Sequence, residues 1–201
     1  MRAAADAVPA AVAGAGSRPE EAGGGGDALL VLAAQAGDRA AFGRLYQQYA
    51  RMVHGILLAR VPRSEVDDLV QDVFLVALRR LGALRKPESF GPWLAVIARN
   101  RATDHYRRSE ATTELPADLA GSGHPEGDAR TVLAAIRSLP EAYRETLVLR
   151  LVEGMTGPEI AARTGLTPAS VRVNLHRGFK QLRERIAGPA AAGPGQVGHE
   201  G

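Results

Sequence analysis

The sequence of 201 residues has no cysteine, few aromatic residues and no long hydrophobic run. Without cysteine the chain has no disulfide, no thiolate nucleophile and no cysteine-ligated zinc site, which fits the reducing environment of the cytoplasm. Phe, Tyr and Trp make up 4% of the residues, so the core must consist mainly of Leu, Val and Ala. No stretch of about 18 apolar residues is free of charge, so we expect no insertion into a membrane.

Lysine is also nearly absent, because only Lys86 and Lys180 of the 25 Lys and Arg residues are lysines. The formal net charge is +3 and the isoelectric point is about 9.7. A modest net charge can conceal basic patches, so the positions of the arginines carry more information than their number. The abundance of Ala, Gly and Arg is also typical of a GC-rich genome, which accounts for part of the arginine content without any function.

Three segments are rich in Ala, Gly, Pro or acidic residues and lack helical periodicity: 1–26, 110–128 and 188–201. We interpret the first and third as disordered tails and the second as a flexible linker. The two remaining blocks, 27–109 and 129–187, show helical spacing of apolar residues and no strand-like alternation. The sequence therefore predicts an all-α protein of two small helical domains joined by a flexible linker.

One helix of the first block is expected to begin at Ser64, where the Ser-x-x-Asp pattern predicts a side-chain cap, and another at Pro92. The helix after Ser64 carries a core stripe of Val66, Leu69, Val70, Val73, Ala77 and Leu81. The stripe leaves a face that is first acidic and then apolar: Asp67, Asp68, Gln71, Asp72, Phe74, Leu75 and Leu78. Acids in the first turn suit the helix dipole. The apolar residues of this face, Phe74, Leu75 and Leu78, are not explained by the dipole. They indicate either that a second helix packs on this face or that it is a surface that binds another protein.

The helix after Pro92 has one side of mainly cationic and amide groups: Arg99, Asn100, Thr103 and Arg107. Such side chains suit phosphates and base edges, although a solvated amphipathic helix shows the same pattern. Trp93 and Tyr106 lie at its two ends, where they could stack on unpaired bases or pack in the core. For Trp93, which precedes Leu94, the core is the favoured alternative.

The second block has the pattern of a helix-turn-helix. Thr156 caps a short helix that Gly165 ends, and Thr167 caps the next helix, which has Pro168 at its first position. The small core between them is expected to contain Ile160, Ala161, Leu166, Val171 and Leu175. The second helix is basic, with Glu184 as its one acid beside Arg172, Arg177, Lys180, Arg183 and Arg185. In a helix-turn-helix such a helix lies in the major groove with its N-terminal half on the bases.

Four segments in this order resemble the sigma-70 family of RNA polymerase sigma factors, of the extracytoplasmic-function (ECF) type. They read DDLVQDVFLVALRRL, SFGPWLAVIARNRATDHYRR, LPEAYRETLVLRLVEGMTGPEIAARTG and SVRVNLHRGFKQLRE. The resemblance covers about 38–108 and 133–186. It implies a region 2-like helical bundle and a region 4-like helix-turn-helix domain, which together direct transcription from promoters.

The resemblance also implies partners and residue roles. Core RNA polymerase would be bound through its largest-subunit clamp and its flap, the clamp contacting Asp68, Gln71, Asp72 and Phe74. Promoter DNA would be opened and read at the −10 element by Leu84, Arg85, Lys86, Asn100, Thr103 and Arg107. The −35 element would be read by Ser170, Arg172, Asn174, His176, Arg177 and Lys180. Many relatives also bind an anti-sigma factor, and no cofactor is implied.

The recognition helix departs from the usual family pattern at Val173, Asn174, Gly178 and Phe179, so the resemblance does not specify the −35 sequence. Two other functions are possible alternatives. A nuclease would need acids or histidines clustered around a metal; Asp67, Asp68 and Asp72 share one helix, but no His or Glu is evidently placed to complete a metal site with them, so we expect no enzyme. A helix-turn-helix regulator that is not a sigma factor would explain the second block but not the first.

Overall fold

The computed structural model describes residues 25–111 and 125–187. Within these ranges the chain forms eight α-helices and no strand, which confirms the all-α class. The first range contains α1 (Gly25–Gln35), α2 (Arg39–Leu58), α3 (Arg63–Arg80) and α4 (Phe90–Ala111), with 3-10 turns at Leu81–Ala83 and Pro87–Ser89. The second contains α5 (Pro125–Arg137), α6 (Glu141–Leu151), α7 (Gly157–Thr164) and α8 (Pro168–Ala187).

The predicted tails and linker lie mostly outside the described residues. Where they overlap the described part of the chain they are helical, since 25–26 begin α1, 110–111 end α4 and 125–128 begin α5. The helices therefore extend further into these segments than their composition indicated.

The periodic run at the start of the first block is divided into α1 and α2. Gly37, between them, has a φ of 99°, in the region that favours glycine. The Asp38 carboxylate then accepts hydrogen bonds from the N–H groups of Ala40 (2.8 Å) and Ala41 (3.1 Å) and so caps α2.

Two predicted helix starts are wrong by one or two residues. The first helix, α3, begins at Arg63 after the extended residue Pro62, and no side chain caps it, so Ser64 is not the cap. The second, α4, begins at Phe90, two residues before Pro92. Proline is tolerated there because the first four N–H groups of a helix have no intrahelical acceptor. The core stripe of α3 is buried as expected, except that Leu69 is half-buried.

The helix-turn-helix of the second block is confirmed. Thr156 and Glu159 form a reciprocal capping box at α7, and Gly165 ends α7 with a φ of 78°. Thr167 accepts a hydrogen bond from the N–H of Ser170 (3.1 Å) at the start of α8. The small core between α7 and α8 contains buried Ile160, Ala161 and Val171 and half-buried Leu166 and Leu175.

Gly178, one of the departures from the family pattern, lies where α8 crosses α6. A Cβ atom at this position would lie 3.0 Å from Leu147 Cδ1 and 3.2 Å from Tyr143 Cβ. These separations are tight for carbon atoms, so glycine lets the two helices approach closely. The residue therefore has a packing explanation that needs no contact with DNA.

The two helical blocks pack directly against each other, with α2 and α4 facing α6 and α7. At this contact the Glu145 carboxylate is 5% exposed and pairs with Arg60 (2.7 Å) and Arg99 (2.7 and 3.1 Å). Burial by itself would raise the pKa of Glu145. The hydrogen bonds and charges of the two arginines outweigh that effect and lower the pKa, so Glu145 is ionised in the folded protein.

The capping box of α7 generates a stability prediction. Hydrogen bonds from the Thr156 backbone N–H (2.7 Å) and hydroxyl (2.8 Å) lower the pKa of Glu159. A lowered carboxylate pKa stabilises the fold above the unfolded pKa, and this contribution is lost as pH falls through the folded pKa. Thr156→Ala should lower the free energy of unfolding by about 1 kcal/mol at neutral pH, and by less in acid.

Urea unfolding of the full chain, followed by circular dichroism, measures this change. Thr156→Ser keeps the hydroxyl and serves as the matched control. A Thr156→Ala variant as stable as Thr156→Ser at neutral pH would show that the capping box contributes nothing.

Candidate protein and nucleic-acid interfaces

Helix α8 presents a basic face to solvent. Among the six residues assigned to it, Arg172, His176, Arg177, Lys180 and Ser170 are exposed and Asn174 is half-buried. The Ser170 hydroxyl lies 2.8 Å from the Thr167 hydroxyl, so it belongs to the cap at the helix start. The ion pairs within the described residues do not include Arg172, Arg177 or Lys180. Their charges are therefore available to an external anion.

The other two basic residues of α8 interact with the protein itself. Arg183 donates a hydrogen bond to the carbonyl of Phe179 (3.3 Å), and Arg185 donates one to the hydroxyl of Ser138 (2.5 Å). Both residues remain exposed, so the basic face extends along α8. Arg172, His176 and Arg177 lie in its N-terminal half, which is the half that enters the major groove in a helix-turn-helix.

The loop 84–86 and the outer side of α4 form a second group of predicted residues. Arg85 and Lys86 are exposed, and so are three residues of α4: Asn100, Thr103 and Arg107. Leu84 is half-buried, and its carbonyl accepts a hydrogen bond from Gln35 Nε2 (2.9 Å), which also bonds the carbonyl of Leu81 (2.9 Å). Gln35 therefore holds the loop in place. This contact leaves no local signal in the sequence, because Leu81 and Leu84 lie 46 and 49 residues from Gln35.

Three side chains of α4 correct or refine the sequence interpretation. Arg99, expected on the face of Asn100, instead turns to Glu145 of the second block. Trp93 is half-buried and packs against the core, with its ring 5.8 Å from that of Phe90. This agrees with the expectation that Trp93 packs in the core. Tyr106 is 48% exposed, so its ring is open to a partner.

The acidic face of α3 is present, but Phe74 does not belong to it. Asp68, Gln71 and Asp72 are exposed. Phe74 is only 4% exposed, and its ring lies 4.6 Å from that of Tyr46 and 6.4 Å from that of Phe42. The placement of Phe74 off the core stripe was therefore wrong, because α2 packs over a wider strip of α3 than the one-sided pattern indicated.

The exposed apolar residues of this face are Leu75 and Leu78, at 52% and 49% exposure. Leu75 follows Asp68 and Asp72 at helical spacing, so acid and apolar groups share one solvent-facing strip. An exposed apolar strip bordered by acids is typical of a protein-binding surface.

Comparisons with known proteins identify both blocks. The family model Sigma-70 region 2 matches residues 45–112, and the model Sigma-70, region 4 matches residues 129–182. The RNA polymerase sigma factor CarQ of Myxococcus xanthus is 35% identical over 75% of this chain and 91% of its own length. The ECF RNA polymerase sigma-E factor of Escherichia coli K12 is 30% identical over 80% of this chain and 94% of its own length.

This chain is an ECF sigma factor of the sigma-70 family. It directs transcription initiation, and the alternative of a helix-turn-helix regulator outside this family is not favoured, because the first block matches region 2.

Solved structures share its fold. CnrH, in complex with the cytosolic domain of CnrY, aligns with a TM-score of 0.60 and 27% identity over 81% of this chain and 98% of that one. RpoE of Bartonella quintana, in complex with the anti-sigma factor NepR, aligns with a TM-score of 0.53 and 18% identity over 73% and 96% of the two chains. Within the described part of the sigma factor, no helix is both long and apolar enough to span a bilayer.

The burial of Phe74 generates a prediction that separates it from its neighbour Leu75. Phe74→Ala removes a buried ring and should lower the free energy of unfolding by about 3–5 kcal/mol. Leu75→Ala removes an exposed side chain and should change it by no more than about 0.5 kcal/mol.

Chemical denaturation of the two full-length variants beside the native chain gives both values. Equal destabilisation by the two substitutions would contradict the burial of Phe74.

Proposed function

We propose that this sigma factor binds core RNA polymerase with the acidic-apolar strip of α3, opens the −10 element with α4 and its preceding loop, and reads the −35 element with α8. The observation that carries the proposal is the basic face of α8. Its cations Arg172, Arg177 and Lys180 are exposed and lack acidic partners, whereas the arginines at the contact between the blocks are engaged by Glu145 or by backbone carbonyls. Unpaired cations on a recognition helix are the chemistry that phosphates and guanine edges require.

The polymerase-binding surface consists of Asp68, Gln71, Asp72 and Leu75. Exposed carboxylates can pair with basic residues of the largest-subunit clamp, and Leu75 supplies apolar contact beside them. Leu75 takes the place that Phe74 was expected to fill. The flap of the polymerase is the partner proposed for the second block.

The −10 surface combines the loop 84–86 with Asn100, Thr103 and Arg107 of α4. Extruding a base from the duplex costs a few kcal/mol of unstacking, so a pocket with fixed polar groups must compensate for it. Gln35 fixes the loop backbone, and the Asn100 amide can bond a base edge. The Thr103 hydroxyl donates to the Arg99 carbonyl (3.1 Å) and keeps acceptor capacity for a ligand.

This function needs no cofactor and no catalytic residue, and it places the protein in the cytoplasm with RNA polymerase. Among the described residues no group of His, Asp and Glu could hold a metal ion. Because the structural relatives CnrH and RpoE were solved in complex with CnrY and with the anti-sigma factor NepR, we also propose an anti-sigma factor as a partner of this chain.

The polymerase-binding proposal is tested by charge reversal. Asp72→Arg should weaken binding of core RNA polymerase at least about tenfold, since the coupling energy of a close interfacial charge pair can reach about 1.5 kcal/mol or more. Promoter-directed transcription at limiting sigma factor should fall in parallel. Core affinity is measured by fluorescence anisotropy and transcription by run-off synthesis.

Glu88→Arg is the matched control for core affinity, because it reverses an exposed acid that lies outside both the strip on α3 and the second block. If Asp72→Arg binds core as tightly as Glu88→Arg does, the strip on α3 is not the docking surface.

The −35 proposal separates two residues of α8. Arg172 lies near the helix start and should read a base, so Arg172→Ala should relax the preference at one position by about 1–3 kcal/mol. Lys180 lies two turns later and should hold a phosphate. Lys180→Ala should therefore weaken all promoters alike and reduce the salt slope of binding by about one unit.

The measurement is binding of reconstituted holoenzyme to promoters with single-base −35 changes, at several salt concentrations. Uniform weakening by Arg172→Ala, or a changed base preference in Lys180→Ala, would contradict this division of roles.

A further inference from the structure

The backbone on either side of Arg85 is fixed by hydrogen bonds. On one side, the Leu84 carbonyl accepts a hydrogen bond from Gln35 Nε2 (2.9 Å). On the other side, the Lys86 carbonyl accepts one from the N–H of Ser89 (2.9 Å). The bond from Ser89 is local and closes the second 3-10 turn, whereas the bond from Gln35 comes from α1, 49 residues earlier in the chain. The first half of the loop 84–86 therefore depends on α1.

The amide of Gln35 joins this loop to the end of α3. Its nitrogen also bonds the carbonyl of Leu81 (2.9 Å), the residue that follows α3 and whose carbonyl accepts the N–H of Leu84 as well (3.0 Å). A primary amide nitrogen carries two hydrogens, so one Gln35 side chain can bond both carbonyls. An oxygen atom in the same place would have no hydrogen to donate and would repel both of them.

Helix α1 is itself firmly placed, so Gln35 acts from a rigid support. Val31 is fully buried and Ala34 nearly so. At the start of the helix, the Asp27 carboxylate accepts a hydrogen bond from the hydroxyl of buried Tyr49 on α2 (2.6 Å). Burial and this hydrogen bond raise the pKa of Tyr49, so the hydroxyl stays protonated and remains a donor. The helix also packs against both 3-10 turns that flank the loop.

The loop that Gln35 holds presents its side chains to solvent. Arg85 and Lys86 are exposed, and Leu84 is half-buried. An exposed loop without such bonds samples many backbone conformations, and binding a ligand then costs the entropy of selecting one of them. A loop that is already ordered in the free protein avoids this cost. The two bonds from Gln35 thus arrange a cationic surface before its ligand arrives.

We propose that Gln35 is a positioning residue, which sets the conformation of the loop 84–86 before DNA binds and thereby the selectivity of the −10 surface for a particular base. The inference rests on the proposed opening of the −10 element by this loop and α4. Gln35 is half-buried and precedes residue 45, where the region 2 match begins. It acts through the loop backbone and not through contact with DNA.

Two substitutions remove the donors of Gln35 in different ways. Gln35→Met keeps an unbranched, neutral side chain of similar length that cannot donate. Gln35→Glu keeps the shape of the amide but places an oxygen against the two carbonyls. Gln47→Met and Gln47→Glu are the matched controls, because Gln47 is exposed on the neighbouring helix α2. All four variants should keep the helical circular dichroism and the core RNA polymerase affinity of the native chain.

Trypsin cleavage measures the order of the loop in the free chain. Trypsin cleaves after arginine and lysine but not before proline, so it can cut after Arg85 and not between Lys86 and Pro87. Its rate follows the population in which the loop opens locally. One hydrogen bond changes such an equilibrium by roughly two- to tenfold. Loss of both bonds should therefore speed cleavage after Arg85 about tenfold in the Gln35 variants, whereas the Gln47 variants should keep the native rate.

Base selectivity is measured with reconstituted holoenzyme and single-stranded oligonucleotides that carry the non-template −10 element of a promoter that the holoenzyme transcribes. Each oligonucleotide lacks one base. Removal of the base that enters the pocket should lower the affinity of native holoenzyme most. In both Gln35 variants this loss should be about tenfold smaller. Gln35→Met should bind the oligonucleotide without that base as tightly as the native chain does, whereas a general folding defect would weaken all oligonucleotides alike.

Cleavage after Arg85 at the native rate in both Gln35 variants overturns the proposal, and so does faster cleavage with unchanged base selectivity. Equal affinity of native holoenzyme for all the oligonucleotides would instead refute the proposed reading of the −10 element, and with it the effect of Gln35 on selectivity. Faster cleavage in that case would still support the ordering of the loop by Gln35.

Discussion

The arrangement of the two blocks depends on a buried carboxylate. An unpaired Glu145 carboxylate at this buried position would strongly destabilise the fold, and the two arginines that meet it come from the first block, Arg60 from the turn after α2 and Arg99 from α4. Removing one member of such a buried pair typically destabilises by about 3–5 kcal/mol, although an apolar replacement of the whole group can be neutral. The ionic cluster therefore contributes more to which surfaces meet than to the net stability of the fold.

The local structure of the second block was predictable because its signals are short-range. Thr156, Gly165, Thr167 and Pro168 each act on residues within a turn, so α7 and α8 begin and end where the sequence indicated. The first block was less predictable. Phe74 lies beside the core stripe of α3, and only the approach of Tyr46 and Phe42 from α2 decides that it is buried. The spacing of apolar residues indicates which face of a helix is buried, but it does not indicate how wide a strip of that face the neighbouring helix covers.

The sequence predicted most of the exposed residues of the candidate surfaces, but it did not predict where each surface ends. Asp68, Asp72, Asn100 and Arg172 are exposed as their patterns required, while their roles came from the resemblance rather than from residue spacing. Long-range contacts escaped the sequence analysis. Glu145 withdraws Arg99 from the α4 face across 46 residues, and Gln35 fixes the loop 84–86 from the end of α1. Neither pairing leaves a local signal, because it is the packing of helices that brings the partners together.

Arginine occurs both at the contact between the blocks and on the exposed face of α8, so its abundance does not distinguish these two surfaces. The guanidinium group bonds carboxylates, carbonyls and phosphates with the same donors. The distinction lies in what each side chain meets: Arg137 and Arg163 meet carbonyls of α2, whereas Arg172 and Arg177 face solvent. Arg99 shows the same dependence on its surroundings, since it pairs with Glu145 at the contact between the blocks although it precedes the exposed Asn100 on α4. The role of an arginine in this chain is therefore set by the partner that helix packing brings to it, which the sequence around the arginine does not specify.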